Sequence, residues 1–139
     1  MRCVPAGARY NVVTVADAIE VMVVDDEPEV RFMLRMYLPR LGRLAVEREA
    51  SNGAEAVELV QQRCPEAVLL DIGMPVMNGI EATWQIREIC PHTKIIVFSA
   101  FTAESLQQEA IARGADLYLE KTTPPKEIAA AVERLCRAA

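Results

Sequence analysis

Apolar residues in this chain gather into short runs, and each run stops on a polar residue. Val21-Met22-Val23-Val24 leads into Asp25-Asp26, and Ala67-Val68-Leu69-Leu70 leads into Asp71. Ile95-Ile96-Val97-Phe98 leads into Ser99, and Leu117-Tyr118-Leu119 passes Glu120 into Lys121. The near-continuous apolar content of the first three predicts strands buried on both faces. Between the runs the apolar period becomes helical. Val30, Met33, Leu34, Tyr37, Leu38 and Leu41 follow i, i+3, i+4, i+7 spacing, which marks one stripe of a helix. That helix is expected to start at Pro28, where a missing N–H costs nothing. Pro39 is expected to end or kink it.

The remaining elements follow from start and stop signals. Residues 44–50 predict a weaker strand. Asn52-Gly53-Ala54-Glu55 predicts a helix with a side-chain cap and a glutamate three residues on, ending near Arg63 before Pro65. Asn78-Gly79-Ile80-Glu81 repeats the signal for a third helix, which ends before Pro91. Thr102 is expected to cap a fourth, and Gly114 to terminate it. Pro124-Pro125 opens a last helix with Ile128, Val132 and Leu135 on one side. Residues 1–18 hold Pro5 and Gly7 and no clear period, so they predict a loose extension ahead of a domain at 19–139. Val12-Val13-Thr14-Val15 could at most add a stray strand there.

Strands and helices thus alternate five times, the pattern of an α/β parallel sheet with helices on both faces. Right-handed crossovers leave few topologies. The expected fold is doubly wound and flavodoxin-like, a five-stranded sheet in the order 2-1-3-4-5 that places ligands beyond the carboxyl ends of its strands. The polar residues that end the runs would then meet at one edge.

Composition narrows the function classes. At 139 residues the chain fits one domain, large enough to bury a core without staples. Hydrophobic residues make up 52% and charged residues 25%, which argues against disorder of the main body. A net charge of −5 argues against direct nucleic-acid binding, which needs a basic patch. No apolar run is long enough to span a membrane, and residues 1–19 lack the apolar core of a secretory signal. A cytoplasmic protein without membrane contact is expected. Cys3, Cys64, Cys90 and Cys136 show no C-x-x-C spacing, and His92 is the only histidine. Zinc is disfavoured, and buried or half-buried free thiols are expected.

Three aspartates at one sheet edge need a cation. Two unit charges about 4 Å apart repel by about 4 kcal/mol at an effective dielectric near 20. Oxygen-only ligands with room for water suit Mg²⁺. With Lys121 and the ion, three carboxylates sum to zero charge, so a phosphoryl group enters a neutralised site. Asp71 stands alone at its strand end and is the better nucleophile for an aspartyl phosphate. Asp25 and Asp26 are better placed as metal holders, Lys121 as a compact cation for a phosphate oxygen, and Ser99 as a donor to another. Taken singly, Asp26 reads equally well as a turn or cap residue, Ser99 as a cap, and Lys121 as a solvated charge. Their joint placement at strand ends favours the chemistry.

Asp25-Asp26-Glu27-Pro28, the segment from Leu70-Asp71 through Met74-Pro75 to Asn78-Gly79, Val97-Phe98-Ser99-Ala100 and Gly114 through Lys121 resemble the receiver domain of two-component response regulators. The resemblance covers about residues 19–137. It implies that Asp71 takes a phosphoryl group from a sensor histidine kinase or phosphotransfer protein. It implies Mg²⁺ on Asp26 and Asp71, on Asp25 through water, and on the backbone carbonyl of Gly73. Ser99 and Tyr118 stand at the family's switch positions. Phosphate would draw Ser99 inward, Tyr118 would follow, and the face of the last two helices and the fifth strand would change shape for a protein target, an output domain or a second copy. Tyr118 also reads as an ordinary half-buried strand tyrosine.

Two departures stand out. Thr122 follows Lys121 where the family often has a cis-proline, and a non-proline cis bond costs about 3 kcal/mol, so a trans bond is expected. The flavour of Lys121-Thr122-Thr123-Pro124 and Glu49-Ala50-Ser51-Asn52-Gly53 is similar to receivers with LuxR/NarL-type outputs. No such output follows, so a stand-alone or excised receiver is expected. Phe101, two residues past Ser99, is expected near the mouth of the site. Its apolar ring cannot orient an attacking water, which predicts slow self-dephosphorylation.

Three other functions compete. A haloacid-dehalogenase-like aspartyl-phosphate phosphatase needs a second aspartate where Gly73 stands. A phosphorylation-independent interaction module would show loss of an acidic residue or the lysine, and none is lost. A nucleotide or flavin binder of this fold would carry a Gly-rich loop after the first strand, where Asp25-Asp26-Glu27 stands instead. The reading is a switch that catalyses its own phosphorylation and dephosphorylation and turns over no separate substrate.

Overall fold

A computed structural model describes residues 17–137. The residues 1–16, including the expected stray strand, lie outside it. The element order is β1 (Ile19–Val24), α1 (Pro28–Leu41), β2 (Leu44–Ala50), α2 (Gly53–Gln62), β3 (Ala67–Leu70), α3 (Gly79–Ile89), β4 (Lys94–Ser99), α4 (Glu104–Ala112), β5 (Leu117–Glu120) and α5 (Pro125–Arg137). All strand pairs are parallel, in the order β2-β1-β3-β4-β5, as the alternating pattern predicts.

Side chains on a strand alternate between faces, and this splits the core in two. Met22, Val24, Val68, Leu70, Ile95 and Val97 pack with Val60, Ile86 and Ala110 under α2, α3 and α4. Val21, Val23, Leu69, Ile96 and Phe98 pack with Leu34, Leu38, Ile128 and Val132 under α1 and α5. Every residue of β3 is buried, which explains why its run carries no polar alternation. Val24 pairs with Leu70, Leu70 with Val97, and Ser99 with Glu120. This register brings the polar ends of the runs to one edge.

Local signals mostly hold. Asn52 and Asn78 cap α2 and α3, accepting from the N–H groups of Glu55 (2.8 Å) and Glu81 (3.0 Å). Gly114, at φ +118°, closes α4, and no peptide bond among the described residues is cis. Three expectations need correction. Pro39 does not stop α1, which continues to Leu41; the lost N–H bond falls in a turn that ends almost at once. Thr102 does not cap α4; its N-cap is Ala103, with no side-chain cap bond. The Thr102 backbone carbonyl instead accepts from Gln107 (3.1 Å).

The third correction is larger. Cys64 and Cys90 form a disulfide, with their Cα atoms 5.8 Å apart. Free thiols were expected because spacing along a chain does not reveal which loops the fold brings together. Here the turn before β3 and the end of α3 meet. Cys136 is free and half-buried, and Cys3 lies outside the described residues. Among those residues no helix is long and apolar enough to cross a membrane.

Candidate functional site

Four segments feed the carboxyl edge of the sheet. The Asp25 N–H donates to the Ala50 carbonyl (3.1 Å) and the Asp71 N–H to the Val24 carbonyl (3.0 Å), so both aspartates extend the strand ladder by one step. The Lys121 N–H donates to the Ser99 carbonyl (2.8 Å) and does the same on the β4 side. Asp25 is 2% exposed and Asp71 is buried, while Asp26 faces solvent. One carboxylate oxygen from each of the three lies within 4.8 Å of the others. The three aspartates expected at one sheet edge therefore meet there.

Lys121 supplies the positive charge. Its Nζ stands 2.6 Å from Asp25 Oδ2, 3.2 Å from Glu27 Oε1 and 3.5 Å from Asp71 Oδ2. Burial works against the ammonium. The hydrogen bond and charge of Asp25, helped by Asp71 and Glu27, outweigh it and raise its proton affinity. Asp71 is also held above the usual carboxylate range, first by burial and then by the charge of Asp25; Lys121 and the backbone N–H groups of Gly73 and Ile72 oppose this. A buried carboxylate with a like charge beside it favours a cation that neutralises both. Three hard oxygen donors fit Mg²⁺ or a similar cation, and no nitrogen or sulfur donor stands among them.

Two contributors escaped the sequence reading. Glu27 reaches Lys121 as a further carboxylate, and its N–H donates to Asp25 Oδ1 (2.9 Å). Arg31, one turn into α1, donates to the Asp25 carbonyl (2.7 Å). The adjacency of Glu27 to the acidic pair was a usable signal. Nothing in the sequence marks Arg31.

Ser99 is fully buried, and its Oγ accepts from the Phe101 N–H (3.0 Å). The Phe101 carbonyl in turn accepts from the Tyr118 hydroxyl (2.7 Å). Tyr118 is half-buried and packs against the core under α2, α3 and α4. One residue thus bridges both expected switch positions through its backbone. The Phe101 ring is 50% exposed and lies over Gly73, where an added Cβ would meet its Cε2 at 2.8 Å. It sits at the mouth of the site, as expected.

The loop after Asp71 is tightly seated. Gly79 opens α3 against the Asp71 and Ile72 backbone, where an added Cβ would stand 2.7 Å from Ile72 Cα. The Gly53 N–H donates to the Met77 carbonyl (3.1 Å) and ties α2 to the same loop. Val76 holds φ +67° and is 84% exposed, a conformation a β-branched residue rarely takes. No sequence signal pointed to it.

The chain is similar to known proteins over most of its length. Residues 21–133 match the family described as the response regulator receiver domain. The chemotaxis protein CheY of Thermotoga maritima is 38% identical over 117 residues, which cover 84% of this chain and 97% of CheY. The response regulator VraR of Staphylococcus aureus is 34% identical over 86% of this chain, which spans only 57% of VraR. Among solved structures, the receiver domain of the putative response regulator NarL from Mycobacterium tuberculosis superposes with a TM-score of 0.82 at 30% identity, covering 88% of this chain and 98% of that one. A LuxR-family response regulator from Aurantimonas sp. SI85-9A1 gives 0.80 at 32%, covering 86% and 85%. The chain belongs to the response regulator receiver domain family.

Proposed function

We propose that Asp71 is the phosphoryl acceptor of a two-component signalling switch, and that the donor is the phosphohistidine of a sensor kinase or phosphotransfer protein. The convergence of Asp25, Asp26 and Asp71 within 4.8 Å, with Lys121 beside them, carries this reading. An Asp71 carboxylate oxygen attacks phosphorus, the P–N bond breaks, and the histidine ring leaves with the bonding pair and takes up a proton. Such transfer depends on positioning and charge neutralisation more than on protein acid–base chemistry. Asp25, Asp26, Asp71 and the Gly73 carbonyl would hold Mg²⁺, which when bound neutralises charge on the transferring oxygens. Lys121, already 3.5 Å from Asp71, pairs with a phosphoryl oxygen. Ser99 keeps its own O–H free to donate while its Oγ accepts from Phe101.

Phosphate then competes for Ser99. Movement of Ser99 disturbs the Phe101 backbone, and through it the hydroxyl contact of Tyr118. The face of α4, β5 and α5 changes for a protein target, an output domain or a second copy of the chain. The switch works in the cytoplasm, binds no nucleic acid through these residues, and turns over no separate substrate.

Acetyl phosphate with Mg²⁺, followed by intact-mass measurement, tests the assignment. One phosphoryl group is expected on the wild type and none on Asp71→Asn. An unmodified wild type, or equal labelling of the variant, overturns it.

A further inference from the structure

The pole of the sheet opposite the carboxylates carries chemistry that the switch does not use. There the Cys64–Cys90 disulfide joins the turn after α2 to the end of α3. The two cysteines differ in access: Cys64 is exposed and Cys90 is 1% exposed. They share a cleft of about 260 Å³ with Pro65, Pro91 and His92, open to a small thiol without unfolding. The loops that carry them are also fixed independently of the bond. Thr93 Oγ1 donates to the Pro65 carbonyl (2.7 Å), and the Lys94 N–H donates to the Glu66 carbonyl (2.9 Å). At the other end of the two helices, the Gly53 N–H to Met77 carbonyl bond holds α2 against the loop before α3. Breaking the S–S bond therefore leaves the two sulfurs near each other, ready to close again.

We propose that Cys64–Cys90 is a reversible thiol–disulfide modification site for low-molecular-weight thiols, with Cys64 the sulfur under attack and Cys90 the resolving one. In the reducing direction, an external thiolate attacks the Cys64 sulfur. The protein S–S bond breaks, and Cys90 leaves as a thiolate and takes up a proton. A second external thiol attacks the outer sulfur of the mixed disulfide, releasing the small disulfide and the Cys64 thiol. The sum is protein disulfide plus two small thiols giving protein dithiol plus one small disulfide. In the oxidising direction, a small disulfide accepts the two electrons. Exposed sulfurs are the ones such exchange selects. Cys136 is a poor competitor, because burial, and then the charge of Glu66, pushes its thiol up to about 11.

The test incubates the full chain in mixtures of reduced and oxidised glutathione, quenches with acid, alkylates and measures intact mass. The expected result is reversible passage between two masses that differ by two alkyl groups, one on each of Cys64 and Cys90, with no denaturant in the exchange step. In Cys90→Ser a glutathione adduct accumulates on Cys64, and in Cys64→Ser the native protein leaves Cys90 unmodified. Should either variant fail to fold, partly reduced wild type is alkylated and digested, and the mixed disulfide maps to the Cys64 peptide. A bond that resists glutathione until denaturant is added overturns the proposal. So does failure of the bond to form in any mixture, or an adduct that maps first to Cys90 or Cys136.

Discussion

Gly79→Ala probes how the fold aims Asp71. In an ordinary helix this change gains about 1 kcal/mol. Here the new Cβ would stand 2.7 Å from Ile72 Cα and 2.8 Å from the Asp71 carbonyl carbon, inside the 3.0 Å that real Cβ contacts respect. Both obstacles are backbone, so no rotamer relieves them. The start of α3 must retreat, and the Gly79 N–H to Ile72 carbonyl bond (2.8 Å) resists that retreat. Overpacking of this kind costs about 1–3 kcal/mol, so the sign of the stability change reverses. A shift of about 1 Å at a reacting group costs up to about 10²-fold in rate, and the atoms displaced are those of Asp71 itself. Gly114→Ala is the matched control. It puts a side chain at φ +118°, against the Cβ and Cγ of Arg87 rather than backbone, and strain there costs about 1–3 kcal/mol far from the carboxylates. Urea melts give the stabilities, and initial rates with acetyl phosphate and Mg²⁺ give the chemistry. Both variants should lose stability, and only Gly79→Ala should label more slowly. Wild-type labelling by folded Gly79→Ala, or equal slowing in the control, would refute the reasoning.

Two further predictions concern the crevice. Lys121→Met leaves Asp25, 2% exposed, without its ammonium, and breaking a buried ion pair costs about 3–5 kcal/mol; urea melts should show that loss without metal and a larger gain from Mg²⁺ than in the wild type, and equal Mg²⁺ gains would sink the idea. Phe101→Glu replaces the ring over Gly73 with a carboxylate that can orient water, so the phosphoprotein half-life read by mass spectrometry should shorten, and an unchanged half-life would end the shielding account.

The strand ends were legible because the information is local. A run of four apolar residues followed by a polar one states both the strand and its exit. The register that pairs Val24 with Leu70 and Leu70 with Val97 then places the exits side by side. Asn52 and Asn78 were legible for the same reason, since a cap is decided within three residues. The failures are the reverse case. Cys64 and Cys90 are 26 residues apart and meet only because β3 and β4 are neighbours, as β3 pairs residue by residue with β4. Thr102 had the chemistry of a cap, but Phe101 is already held by Ser99 and Tyr118, and the helix begins two residues later. The seat of Gly79 against Asp71 lies in the packing of a loop, where the residue type alone does not distinguish a close approach from a flexible turn.

The unequal distances around Lys121 give the crevice its polarity. At an effective dielectric of about 20, an ammonium 2.6 Å from one carboxylate gains about 6 kcal/mol of Coulomb attraction, and at 3.5 Å about 5 kcal/mol. Hydrogen bonding adds to the first and not to the second, so the ammonium commits to Asp25. Asp25 is fixed further by the Glu27 N–H at its carboxylate and by Arg31 at its carbonyl. Asp71 is left buried beside the charge of Asp25 with only a weaker hold on the ammonium, and burial first, then that charge, raises its proton affinity. In the proposed reaction this division matters. An aspartate locked in a tight ion pair is a poor nucleophile, and Asp25 is locked. Asp71 is held less tightly by the lysine, beside a cation close enough to receive the phosphoryl oxygens once they arrive. The same lysine therefore disqualifies one aspartate and prepares the other, through a difference of less than 1 Å set by where β5 ends relative to β1 and β3.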